Sequence, residues 1–161
     1  MSEWAAWNES AIWSLSLIAI TITIHAIGVV VIAAVAQHFS IEVVGRRYPF
    51  VGTHPGSVVT IVTVAMSLVV LHALECLLWA AAYVHLGALP NPAAAELYSV
   101  DSMTTRGASG FFLEKQWRMM GAAEAGDGML LFGISTAFVF YLMHRIWRDD
   151  NVRGDGGGAN G

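Results

Sequence analysis

Cysteine is almost missing from this sequence: Cys76 is the single one among 161 residues. One thiol cannot close an internal disulfide, and its place in an apolar run reads as a small buried hydrophobe. Charge is also scarce. Only 12% of residues are charged, with 8 Lys and Arg against 12 Asp and Glu and a formal net charge of −4. That balance offers no basic surface for nucleic acid. The chain has no nucleophile triad, no phosphate-cradling glycine loop, no Cys-x-x-Cys pair and no His-Glu-x-x-His. No enzyme is therefore expected, and no catalytic residue, metal site or cofactor is assigned.

What fills the sequence instead is apolar. Hydrophobic residues make up 56% of it, and mean hydropathy is +0.59, values of the membrane class. The fold class expected is an all-α membrane protein. Three long apolar segments, 11–37, 57–88 and 116–147, each exceed the roughly 20 residues that a helix needs to cross a bilayer. The second would run about 45 Å as a helix, so it must tilt or protrude. The start, MSEWAAWNES, holds two acids and no Lys or Arg, unlike a signal peptide; Trp4, Trp7 and Trp13 suit a membrane interface. Arg46 and Arg47 in the first loop, with Arg145, Arg148 and Arg153 near the end, outnumber Arg106, Lys115 and Arg118 in the second loop. The N-terminus is then outside and the C-terminus cytoplasmic. Residues 148–161 read as a flexible cytoplasmic tail.

The connection between the second and third spans has its own structure. Asn91 followed by Pro92 is a helix start, an N-cap side chain and then a proline at the first helical position. A helix from Pro92 to about Thr104, roughly 20 Å long and too short to cross, follows, with Gly107 as the terminating glycine. A short helix and a Gly-containing segment between two spans is the plan of a re-entrant pore loop. Exposed backbone is tolerated at membrane depth only where it lines a cavity or is buried in protein, and the helix C-terminus directs partial negative charge that favours cations. An ordinary outside loop with an amphipathic helix fits the same spacing.

Three strings carry a resemblance: 71-LHALECLLWAAAYVHLGALP-90, 95-AELYSVDSMTTRG-107 and 117-WRMMGAAEAGDGMLLFGISTAFVF-140. Together they resemble small bacterial ion-channel-domain proteins, which place an extra helix before a two-helix pore module of the potassium-channel type. The resemblance covers a little under half the chain. It implies a homotetramer in the bacterial inner membrane, with 57–88 as the outer helix, 91–110 as pore helix and filter-like loop, and 116–147 as the inner helix. Filter carbonyls would replace the hydration shell of a monovalent cation. Against the pattern T-T-x-G-Y-G-D, Thr104, Thr105 and Gly107 match. Arg106 stands at the variable position, and Ala108, Ser109 and Gly110 replace tyrosine, glycine and aspartate. Ser109 resists a backbone that glycine supplies cheaply, Ala108 removes an aromatic brace, and Arg106 sets a permanent positive charge beside the path. Potassium selectivity is therefore in question. Asp101, five residues before Arg106, is a candidate charge partner for it.

Two pairs of ionisable residues stand out inside the spans: His72 and Glu75 three apart on the second, Glu124 and Asp127 three apart on the third. Glu75 and Asp127 fall at similar depth, so one His/carboxylate cluster is expected. It fits a hydrogen-bonded structural clamp, a pH-sensitive gate, or a metal or proton-relay site. For metal, His72-x-x-Glu75 is half a motif and lacks further ligands. His25 in the first span reads as a satisfied bundle histidine, with a haem shared with His72 as the other use. The expected function is a pore-forming ion-transport protein with an altered filter. The alternative is a non-conducting or structural three-span protein with a buried His/carboxylate cluster, cofactor-binding or a channel partner subunit.

Overall fold

The structure, a computed structural model, describes residues 3–39, 54–107 and 109–156. Arg46, Arg47 and Ala108 lie outside the described residues. Among the described residues four α-helices follow in order: α1 (Glu3–Phe39), α2 (His54–His85), α3 (Pro92–Met103) and α4 (Arg118–Gly156), with a 3-10 turn, Lys115–Trp117, leading into α4. No strand occurs among the described residues. Three helices are long and apolar enough to cross a membrane, over Trp7–His38, Ser57–His85 and Lys115–Ile146. Helix α4 continues to Gly156, into the stretch that the sequence suggests is tail.

The long helices form because nothing in their apolar runs competes with the backbone ladder. Hydroxyls could, but on α1 they bond back into the helix: Ser14 Oγ to the Ser10 carbonyl at 2.7 Å, Ser16 to Ile12 at 2.8 Å, Thr23 to Ala19 at 2.7 Å. Such back-bonding leaves no hydroxyl exposed to hydrocarbon without a partner.

The chain divides into two compact units, one of residues 1–27 with 70–133 and one of residues 28–69 with 134–161. The first holds α3 and the main core, built on Leu17, Trp79, Tyr83, Met103, Met120 and Leu131. Helices pack inside it along stripes one turn apart. Ser10, Ser14, Leu17, Thr21 and His25 are buried on α1, while Ile12, Leu15, Ile20 and Ile24 are exposed. Polar residues are buried on this face while large apolar ones are exposed, the pattern of helices whose apolar faces meet lipid and whose polar groups must find partners inside.

Two helix ends in this unit share one device. After α2, the Gly87 amide donates to the Val84 carbonyl (3.1 Å) and the Ala88 amide to the Tyr83 carbonyl (2.9 Å), with Gly87 at φ +67°. This is a Schellman cap with glycine at its left-handed position. After α3, Thr105 donates to Ser102 (2.8 Å) and Arg106 to Asp101 (2.9 Å) in the same pattern, with Thr105 at φ +57° in glycine's place. The helix therefore ends at Met103, with Thr104 as its C-cap, as its expected span from Pro92 to about Thr104 has it, and the left-handed position of the cap falls on Thr105 rather than on a glycine. The expected start is present: the Asn91 side chain accepts from the Ala93 amide at 3.0 Å, with Pro92 in the first turn.

Candidate functional site

Four carboxylates among the described residues are buried in the first unit, Glu75, Asp101, Glu124 and Asp127, and each has its own set of partners. Glu75 faces two imidazoles, one for each oxygen. His25 Nδ1 lies 2.9 Å from Oε1 and His72 Nδ1 lies 3.1 Å from Oε2. The His25 and His72 rings are 5.1 Å apart, and Phe132 stacks on His72 at 4.2 Å. Asp127 Oδ2 accepts from Thr21 Oγ1 at 2.6 Å and from Trp79 Nε1 at 3.2 Å. Glu124 Oε2 accepts from the Tyr83 hydroxyl at 2.6 Å, and Oε1 accepts from Ser99 Oγ. Ser99 Oγ also lies 2.8 Å from the Cys76 carbonyl.

The expected single cluster of His72, Glu75, Glu124 and Asp127 is thus divided, because each carboxylate meets a different turn of α2. Glu75, Trp79 and Tyr83 follow one another at four-residue steps on that helix, so they stack one turn apart. His25 pairs with the first, Asp127 with the second and Glu124 with the third. His25 is a buried bundle histidine with a partner, as expected. It joins Glu75 and His72, and their ligand atoms all lie within 4.8 Å of one another. These three residues are the group among those described that could hold a metal ion.

Thr21, His25, Trp79, Tyr83 and Ser99 join these partner sets without having been expected in the cluster. The sequence holds a signal for four of them. Ser10, Ser14, Thr21 and His25 recur at close to helical period inside an otherwise apolar segment, a polar stripe that must face protein. Trp79 and Tyr83 continue the Glu75 face at i+4 and i+8.

The cost of removing a carboxylate from water explains these partner sets. An unpaired buried charge costs several kcal/mol or more, whereas each hydrogen bond to a charged group returns roughly 1.5–3 kcal/mol. Glu75, Glu124 and Asp127 are all 0–1% exposed, so their donors are conditions for folding rather than additions to it. Two oxygens depart from this pattern: Glu75 Oε2 and Asp127 Oδ1 are buried and accept no well-formed hydrogen bond.

The filter-like loop is organised from Asp101. Its carboxylate, 3% exposed, takes the Arg106 guanidinium on Oδ1 and the Ser109 amide on Oδ2 at 2.7 Å. The Asp101–Arg106 pair forms within one chain, and the Arg106 side chain remains 61% exposed. Positive φ occurs at Thr105, Gly107 and Gly110.

Helix α3 meets the other helices well away from their ends. A Cβ on Gly128 would overlap the Met103 carbonyl, and one on Gly121 would overlap the Tyr98 hydroxyl. Gly128 lies roughly 20 Å along the span that begins at Lys115. Ser99 reaches Cys76 and Glu124, residues inside the second and third spans.

Length, hydropathy and a polar interior define the class, a helical multi-pass membrane protein. Comparison with protein-family models, with curated proteins and with solved structures found no match for the chain.

Proposed function

We propose that this chain is a subunit of a pore-loop channel of the potassium-channel type, with α3 as re-entrant pore helix and residues 104–110 as an altered filter. The observation that carries this reading is the contact of the Met103 carbonyl with Gly128, at the C-terminal end of α3 and deep within the third span. A loop helix lying outside the bilayer has no reason to reach that depth. The C-terminal end of α3 then directs partial negative charge toward the middle of the membrane, where it favours a cation.

The altered filter is held by Asp101. By taking both the Arg106 guanidinium and the Ser109 amide, its carboxylate neutralises the added cation locally and fixes the backbone. Loss of the tyrosine brace and of one filter glycine points to weak selectivity among monovalent cations. Four copies around one axis complete the pore. The subunit sits in the bacterial inner membrane with its N-terminus outside.

Ion flux into liposomes tests the reading. The wild type is expected to pass monovalent cations with little preference. Arg106→Leu raises the rate by removing the repulsion, and Asp101→Asn lowers it by freeing Arg106 and the Ser109 amide. Equal flux from all three proteins, at the level of empty liposomes, removes the channel reading.

A further inference from the structure

We propose that His25, His72 and Glu75 form a binding site for one divalent first-row transition-metal ion, with zinc as its simplest occupant. The donors come from two helices, His25 from α1 and His72 with Glu75 from α2, and all three are buried. Two imidazoles and one carboxylate are the donor set of zinc and related divalent ions, whereas calcium and magnesium take oxygen ligands. The His72-x-x-Glu75 pair lacks a third ligand in sequence, and His25 supplies it across 50 residues of chain.

The distances suit coordination. Around a tetrahedral ion with bonds of about 2.0–2.1 Å, neighbouring ligand atoms sit about 3.3 Å apart. His25 Nδ1 is 2.9 Å from one Glu75 oxygen and His72 Nδ1 is 3.1 Å from the other, and one ligand atom from each of the three residues lies within 4.8 Å of the others. Phe132, stacked on His72, fixes the plane of one ligand ring and keeps water from it.

Charge supports the same occupant. Glu75 and Asp127 are both buried. Asp127 lies one turn from the site, since it bonds Thr21 and Trp79, the residues four removed from His25 and Glu75. Neutral imidazoles leave two carboxylates in a dry interior, each costly there. A dication bound by Glu75, with Asp127 nearby, balances both. It also uses the Glu75 Oε2 lone pair, which accepts no well-formed hydrogen bond. The ion ties α1 to α2, and so gives the first span a part in the assembly that does not depend on conduction.

The test is metal content, read independently of flux. The full-length protein in detergent is stripped with chelator, exposed to Zn2+ and freed of excess. About one ion per chain is expected to remain. His25→Ala, His72→Ala and Glu75→Gln each weaken binding by about tenfold or more. His85→Ala, on the same helix but outside the cluster, leaves it unchanged. A second measurement needs no variant: Cu2+ loaded into the wild type and examined by pulsed electron paramagnetic resonance is expected to show two coordinated imidazoles. No retained zinc, equal retention in the three cluster variants, or fewer than two imidazoles on copper overturns the site and leaves Glu75 a proton-sharing clamp.

Discussion

Glu124 and Asp127 are held by side chains from other helices, whereas Asp101 holds Arg106 and Ser109 of the loop that follows its own helix. Glu124 joins Tyr83 of α2 and Ser99 of α3 from its own place on α4. Asp127 joins Thr21 of α1 and Trp79 of α2. These bonds cross the packed interior, so each also fixes the rotation of a helix. Asp101 takes Arg106 and Ser109, five and eight residues along the chain. Those two bonds shape the loop. The two regions therefore differ in what a lost hydrogen bond does: in the interior it unsettles the bundle, and in the loop it releases a segment.

The largest effect is expected at Glu124, where the interior side of this contrast is most exposed to test. Glu124→Leu leaves the Tyr83 hydroxyl without its acceptor and Ser99 with the Cys76 carbonyl alone, and should cost roughly 2–4 kcal/mol. Glu124→Gln keeps an acceptor and should cost less than half as much. Unfolding by SDS in mixed micelles measures both, and equal stability of the two variants would break the distinction drawn here.

Gly128 stands where the two regions meet, and its substitution ranks second. An alanine there strikes the Met103 backbone carbonyl, which cannot move without displacing the end of α3. Gly128→Ala should cost about 1–3 kcal/mol. Gly121→Ala meets only the Tyr98 hydroxyl, the free end of a side chain that can swing aside, and should cost less than about 1 kcal/mol. The same unfolding assay compares them, and a reversed order would mean that α3 is not pressed against α4 at its C-terminal end.

The smallest effect belongs to the loop and has the opposite sign. Thr105 occupies, at φ +57°, the position that Gly87 fills after α2. A β-branched residue there is strained by about 1–2 kcal/mol. After the extra chain entropy that glycine loses, Thr105→Gly should stabilise the protein by about 0.5–1 kcal/mol. If it destabilises instead, the left-handed turn at Thr105 is wrong. Strain kept at one position of a threonine-rich loop is the kind of cost that functional segments carry.

Much of this was legible in the sequence because its causes are local. The three apolar segments are set by composition over a window, and the start of α3 by two adjacent residues, Asn91 and Pro92. The Asp101–Arg106 pair was also within reach, since five residues at a helix end cannot separate two charges far. The end of α3 near Thr104 was legible too, but not the residue that takes the left-handed position of its cap: Thr105 does so, where propensity argues against it and the hydrogen-bond pattern of the turn prevails. The extent of α4 was not legible, because a polar, glycine-rich ending reads as tail although the helix continues to Gly156.

By itself the sequence determined that the chain is helical, which segments are long and apolar enough to cross a membrane, and where the short helix begins. Hydropathy and capping act within a turn or two, so no partner is needed to read them. Only the tertiary structure decided which carboxylate meets which donor. His25 and Glu75 are 50 residues apart, and Thr21 and Asp127 are 106 apart. Their meeting depends on the rotation and register of α1 and α4 against α2, and those are set by packing over whole helix faces.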